Sequence, residues 1–162
     1  MNKWPHDDIK SLLAFYGKPG SSLVYCNPTF EMQTSWMEGG VYKPITKFSV
    51  HSKCLDAFNT VFENIWNHVG KDINAIYHYN LHRFGGCFNI RSIRGATRPS
   101  VHSFGAAIDI NPDGAPMGSR ERPSQEQLPD FAIDAFKGQG AFWGGDFINR
   151  KDWMHFQFAS ES

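Results

Sequence analysis

The sequence predicts an α+β fold built on a small, mainly antiparallel sheet flanked by helices. Three observations lead there. Apolar residues recur at helical spacing in three stretches, 4–16, 52–69 and 126–137. Short strand-like runs lie between them. The two kinds of element do not alternate in a regular βαβ rhythm.

The first helix is expected over Trp4–Tyr16. Pro5 suits its first turn, Asp7 and Asp8 suit its positive end, and Ile9, Leu12, Leu13 and Tyr16 form an apolar stripe. Gly17-Lys18-Pro19-Gly20 should end it. Leu23–Cys26 reads as a strand, the chain then loops through Gly39-Gly40, and Ile45–Val50 alternates like a strand. Ser52 to Val69 is the clearest helix, with Leu55, Phe58, Val61, Phe62, Ile65 and Val69 in register, Ser52 as a cap and Gly70 as the stop. Ile73–Tyr79 and Cys87–Ile93 look like strands separated by Gly85-Gly86. Ala106–Ile110 is a short strand and Gly114–Pro123 a polar loop. Glu126–Lys137 reads as a helix, Trp143-Gly144-Gly145 as a turn and Trp153–Phe158 as a final strand.

The 162 residues are one domain's worth, so a single domain over 1–162 is expected. Sixteen basic and sixteen acidic side chains cancel, which argues against a nucleic-acid binder that depends on phosphate neutralisation. Aromatic residues make up 15% of the chain, far from a disordered composition. Cys26, Cys54 and Cys87 are an odd, widely spaced set, expected as three buried thiols. Near the start the longest apolar run is Leu12–Tyr16, too short for a membrane span or a signal peptide. A cytoplasmic monomer with no membrane insertion is therefore expected.

Two segments carry the chemistry. One is Ser100-Val101-His102-Ser103-Phe104-Gly105-Ala106-Ala107-Ile108-Asp109; the other is Asp152-Trp153-Met154-His155-Phe156-Gln157. Each sets a His and an Asp among small or apolar neighbours. A charged Asp is almost never buried unless paired or coordinating. On a strand, Ile108 and Ile110 point one way and Asp109 the other. Two His and one Asp suit zinc, with a fourth position left for water. The same residues also suit a plainer role, Asp109 capping a turn and both histidines satisfied in the core. Spacing alone leaves both readings open.

The pattern S-x-H-x-x-G-x-A-x-D, followed downstream by D-x-x-H-F, resembles the M15 family of zinc peptidases. That family includes D-alanyl-D-alanine carboxypeptidases and dipeptidases, and the L-alanyl-D-glutamate endopeptidases of phage endolysins. Ser100, His102, Gly105, Ala107, Asp109, Asp152, His155 and Phe156 fill every motif position. Trp143-Gly144-Gly145-Asp146-Phe147 resembles the turn ahead of the second motif. The likeness runs from about Asn89 to Phe158 and is weak before that.

The resemblance implies the scaffold shared by D-Ala-D-Ala peptidases and the hedgehog signalling domain. It implies zinc held by His102, Asp109 and His155, with Asp152 as general base, a position where many relatives carry Glu. It implies an arginine that steadies the oxyanion, for which Arg91 is preferred over Arg94. The implied substrate is the stem peptide of bacterial peptidoglycan, cut by an endolysin-type endopeptidase that reaches the wall through a phage membrane-hole-forming partner. A D-alanyl-D-alanine carboxypeptidase, or a non-catalytic zinc module on the same scaffold, are the alternatives.

One geometric condition follows. Asp152 and His155, three apart, would face opposite sides of a regular strand, so Asp152 must sit in a turn or a bulge must intervene. Other residues invite plainer readings. His78 and His82 would form a metal pair only on a helix, and no Cys or carboxylate lies near them in sequence. His51 and Cys54 suit capping and core roles, and Cys87 a buried apolar one. Phe104 and Trp153, beside the ligands, are candidates to line the cleft.

Overall fold

The computed structural model describes residues 3–93 and 98–160. In chain order the elements are helix α1 (Ile9–Tyr16), strands β1 (Leu23–Cys26), β2 (Met32–Glu38), β3 (Val41–Ile45) and β4 (Phe48–His51), and helices α2 (Leu55–His68) and α3 (Ile73–His78). Strands β5 (Arg83–Gly86) and β6 (Ala107–Ile110), helix α4 (Asp130–Lys137), and strands β7 (Phe142–Trp143) and β8 (His155–Gln157) complete them. Six strands form one sheet in the order β3-β2-β5-β6-β8-β7, and β1 pairs with β4 in a second. Only β2 and β5 run parallel; the other pairs are antiparallel. This is the α+β architecture the patterning predicts.

The central strands sort their residues by face. Ile108 sits across from Phe156, and Asp109 across from His155. Because side chains alternate, the first pair enters the core and the second leaves by the opposite face. On the core side Phe156 stacks on Phe136 of α4 with ring centroids 4.1 Å apart, and Phe58 of α2 meets Phe158 edge-on at 4.9 Å. The segment before α1 joins the same core: Trp4 packs 4.7 Å from Phe158, and the Tyr16 hydroxyl donates to the Phe158 carbonyl at 2.7 Å. Among the described residues no helix is long and apolar enough to cross a membrane.

Several expectations need correction. Helix α1 starts at Ile9 because Asp8 caps it, its side chain accepting from the Ser11 amide at 2.8 Å. The stretch from Cys26 to Gly40 is not all loop: β2 and β3 form a hairpin turning at Gly39-Gly40, and strand pairing breaks before β4. Leu55–His68 is helical as expected, but Ser52 does not cap it: a 3-10 turn, Ser52–Cys54, leads in, and His51 caps that turn, its Nδ1 accepting from the Lys53 amide. Ile73–His78 is helix, not strand, because Asp72 caps it by accepting from Asn74.

Gly85-Gly86 is part of β5 and no separator. A Cβ at Gly85 would stand 2.9 Å from the Asp109 Cβ, so only glycine fits beside that residue. Cys87–Ile93 is extended but is no sheet strand. Its backbone bonds instead to the turn carrying His102: Asn89 donates to the His102 carbonyl, and the Arg91 amide donates to Ser103 Oγ. The three cysteines are free and buried, as expected.

Candidate metal centre and active-site cleft

Each half of the first motif has a local structural cause. Ser100 caps a short 3-10 turn, Val101–Phe104, by accepting from the His102 amide at 3.2 Å. Gly105 ends the turn at φ +71°, and a Cβ there would meet the His51 amide nitrogen at 2.7 Å. Two constraints thus demand glycine at one position. The chain then enters β6, which presents Asp109. Strand β8 brings His155 alongside, and the 3-10 turn drops His102 onto the pair.

The three side chains meet through single atoms. His102 Nε2 lies 3.2 Å from His155 Nδ1 and 3.3 Å from Asp109 Oδ1, and His155 Nδ1 lies 3.2 Å from Asp109 Oδ1. Zinc–ligand bonds of about 2.0–2.1 Å put tetrahedral donors roughly 3.3–3.4 Å apart. The triangle already has that edge length.

The outer contacts set which nitrogen is bare. His102 Nδ1 lies 2.7 Å from the Cys87 carbonyl, which can only accept, so the proton is on Nδ1 and the Nε2 lone pair faces inward. His155 Nε2 lies 2.8 Å from Gln157 Oε1, which leaves His155 Nδ1 bare. Two nitrogen lone pairs and a carboxylate oxygen therefore converge, and three acceptors hold together only around a cation or a proton. Titration agrees. Burial opposes charge on His155, but its hydrogen bond to Asp109 raises it to about 9. Burial likewise pushes Asp109 up, yet His102 and His155 overcome it and hold the carboxyl below its usual range. Among the described residues this is the one cluster of His, Cys, Asp or Glu that could hold a metal.

The triad opens on a cleft of about 270 Å³ lined by Arg91, Ile93, Val101, Met117, Phe147, Arg150 and Asp152 among others. Asp152 meets the geometric condition. It precedes β8 in a turn closed by the His155 amide donating to the Asp152 carbonyl at 3.0 Å. Its Oδ1 is buried with no hydrogen-bond partner, a costly state that a substrate or water in the cleft would relieve. Burial raises its pKa, and the Asp109 charge adds to that against the pull of His155. Arg91 reaches the site from its rim, with Nη2 4.0 Å from Asp109 Oδ2. Arg94 lies outside the described residues.

Phe104 and Trp153 do not line the cleft. Both are buried in the core, and Met117 and Phe147 supply apolar wall instead. His78 ends α3 and His82 lies beyond it, so they do not form a helical pair. Sequence reasoning missed Gln157, which the period of two along β8 could have found beside His155. It also missed Asp7, for which nothing in the local sequence gives a signal.

Residues 94–158 match the M15 peptidase family model described as D-alanyl-D-alanine carboxypeptidase. That span holds the triad and Asp152 but excludes Arg91 and Asp7. The likeness covers that C-terminal stretch alone. Comparison with curated proteins and with solved structures gave no match.

Proposed function

We propose that this chain is a zinc peptidase that hydrolyses the stem peptide of bacterial peptidoglycan, with His102, Asp109 and His155 as the metal ligands. The observation that carries it is the inward convergence of three acceptors, at tetrahedral spacing, beside the carboxylate of Asp152, whose buried Oδ1 has no hydrogen-bond partner. When bound, zinc would make a water acidic and polarise the scissile carbonyl.

The chain's own groups do the rest. Asp152 accepts the proton of the attacking water at Oδ1 and delivers it to the leaving amine. Its raised pKa suits that return step. Arg91 offers its guanidinium where negative charge grows on the carbonyl oxygen. Residues 1–45 belong with the same domain, a reading supported by the packing of Trp4 and Tyr16 on Phe158.

The first reading of the bond is L-alanyl-D-glutamate, in the manner of a phage endolysin. A second reading, D-alanyl-D-alanine, is favoured by the description of the matching family model. Both bonds join an alanyl carbonyl to the amine of a D-residue and differ in the hand of that alanine. Digestion of purified sacculi followed by mass spectrometry decides. Release of free D-alanine supports the second reading, and new N-terminal D-glutamate supports the first. Metal analysis should find about one zinc per chain, lost in His102→Ala. No wall product from a zinc-loaded protein would favour the non-catalytic module, and full zinc occupancy in His102→Ala would refute the ligand set.

A further inference from the structure

We propose that Gln157, held by Asp7, is the positioning residue that orients His155 for metal binding. The inference rests on the metal-centre reading above. Gln157 follows His155 by two residues on β8, so both side chains leave the same face. Its amide is buried, and all of it is engaged. Oε1 lies 2.8 Å from His155 Nε2, while Nε2 donates to Asp7 Oδ2 at 3.1 Å and to the Ala159 carbonyl at 3.2 Å.

Those last two partners decide the amide's orientation. Turned the other way, its oxygen would face a carboxylate and a carbonyl, two acceptors with no hydrogen between. The NH₂ group therefore faces Asp7, the oxygen faces His155, and His155 must carry its proton on Nε2. That leaves Nδ1 as the ligand atom.

Asp7 is fixed in its turn. Arg98 Nη1 donates to Asp7 Oδ1 at 3.0 Å, and the Asp7 amide donates to the Ser160 carbonyl at 2.8 Å. The chain Arg98–Asp7–Gln157–His155 thus runs from the segment ahead of α1 to the metal ligand. His102 takes its orientation from a backbone carbonyl, which no substitution removes. His155 depends on side chains, and one of them lies 150 positions from Gln157. Outer partners of this kind typically contribute about 10–100-fold to metal affinity.

The test measures zinc affinity by competition with a chromophoric chelator, alongside thermal melting of the metal-free forms. Gln157→Leu should bind zinc about 10–100-fold more weakly than wild type. Asp7→Asn, which keeps the volume but gives up one of two acceptors, should weaken it less and serves if the first variant does not fold. Gln157→Glu alone sets two carboxylates side by side. Combined with Asp7→Asn the pair exchanges its hydrogen-bond direction and should recover part of the lost affinity, because the new carboxylate still faces the Ala159 carbonyl without a hydrogen between them. Nitrogen NMR of the zinc-loaded wild type should find the His155 proton on Nε2. Wild-type affinity in folded Gln157→Leu, or a proton on Nδ1, would overturn the proposal while leaving the metal centre standing. A wild type that binds no zinc would overturn both.

Discussion

The turn bearing Asp152 rests directly on Gly144: the Asp152 amide donates to the Gly144 carbonyl at 3.0 Å, and a Cβ at position 144 would stand 2.2 Å from the Asp152 carbonyl oxygen. The obstacle is backbone, so it cannot be relieved by a side-chain rotation. Gly144→Ala should displace Asp152 while sparing the triad on β6, β8 and the 3-10 turn. Displacements near 1 Å can cost about 10² in rate. We expect a loss of that order in sacculus hydrolysis with zinc content unchanged. Undiminished hydrolysis would separate Gly144 from the reaction.

Asp152→Asn keeps the shape of the side chain and removes its basicity. The variant should fold, bind zinc at normal stoichiometry and hydrolyse wall peptides about 10² or more slower, the usual size of a general-base contribution. The assay is peptide release from sacculi, run beside metal content and melting of both forms. Equal rates would remove Asp152 from the mechanism.

Arg91 contacts the site only across 4.0 Å to the outer oxygen of Asp109, so it contributes little to holding a metal. Arg91→Ala should therefore lower turnover by about 10²–10³, as loss of an oxyanion donor does, with a small effect on zinc affinity. Arg94→Ala is the matched control. Damage from Arg94→Ala with Arg91→Ala silent would reassign the role.

Acid should weaken the fold through His82, away from the metal centre. Burial, reinforced by the Arg83 charge and opposed by a hydrogen bond to the Ile76 carbonyl, lowers its pKa to about 4. In the unfolded chain it takes up a proton near ~6.5. Between those values the unfolded state holds more protons, so stability rises with pH and is lost as pH falls from ~6.5 toward the folded value. At pH ~5 the loss is on the order of 2 kcal/mol. Urea melts at pH ~7 and ~5 should show this drop in wild type and a smaller one in His82→Gln. The same drop in both would clear His82 of the effect.

The candidate site was more legible than the scaffold around it, and the reasons are physical. Asp109 announced itself because a carboxylate between Ile108 and Ile110 needs a partner. Ser100 and Gly105 were visible as motif residues, although their work, capping and a crowded left-handed turn, shows only in three dimensions. Residues 73–78 are rich in strand formers, and a single capping carboxylate, Asp72, made them helical. Strand β2 was hidden because its inward residues include a polar one, Thr34, whose hydroxyl is satisfied within its own hairpin. Cys87–Ile93 had a strand's composition, yet its hydrogen bonds went to the turn of His102. Gln157 follows the motif directly, but its partner Asp7 is a matter of tertiary packing, which no local pattern encodes.

That long-range bond bears on how the molecule reaches its native state. Joining residue 7 to residue 157 closes a loop across a separation of 150 residues, and the entropy of closure grows with loop length. Contacts of such sequence separation also slow folding. The hairpin β2–β3 and helix α2 can form from neighbours, whereas the final orientation of His155 waits until β8 and the segment before α1 have docked. During synthesis a chain that has not yet released residue 157 from the ribosome holds no finished catalytic centre.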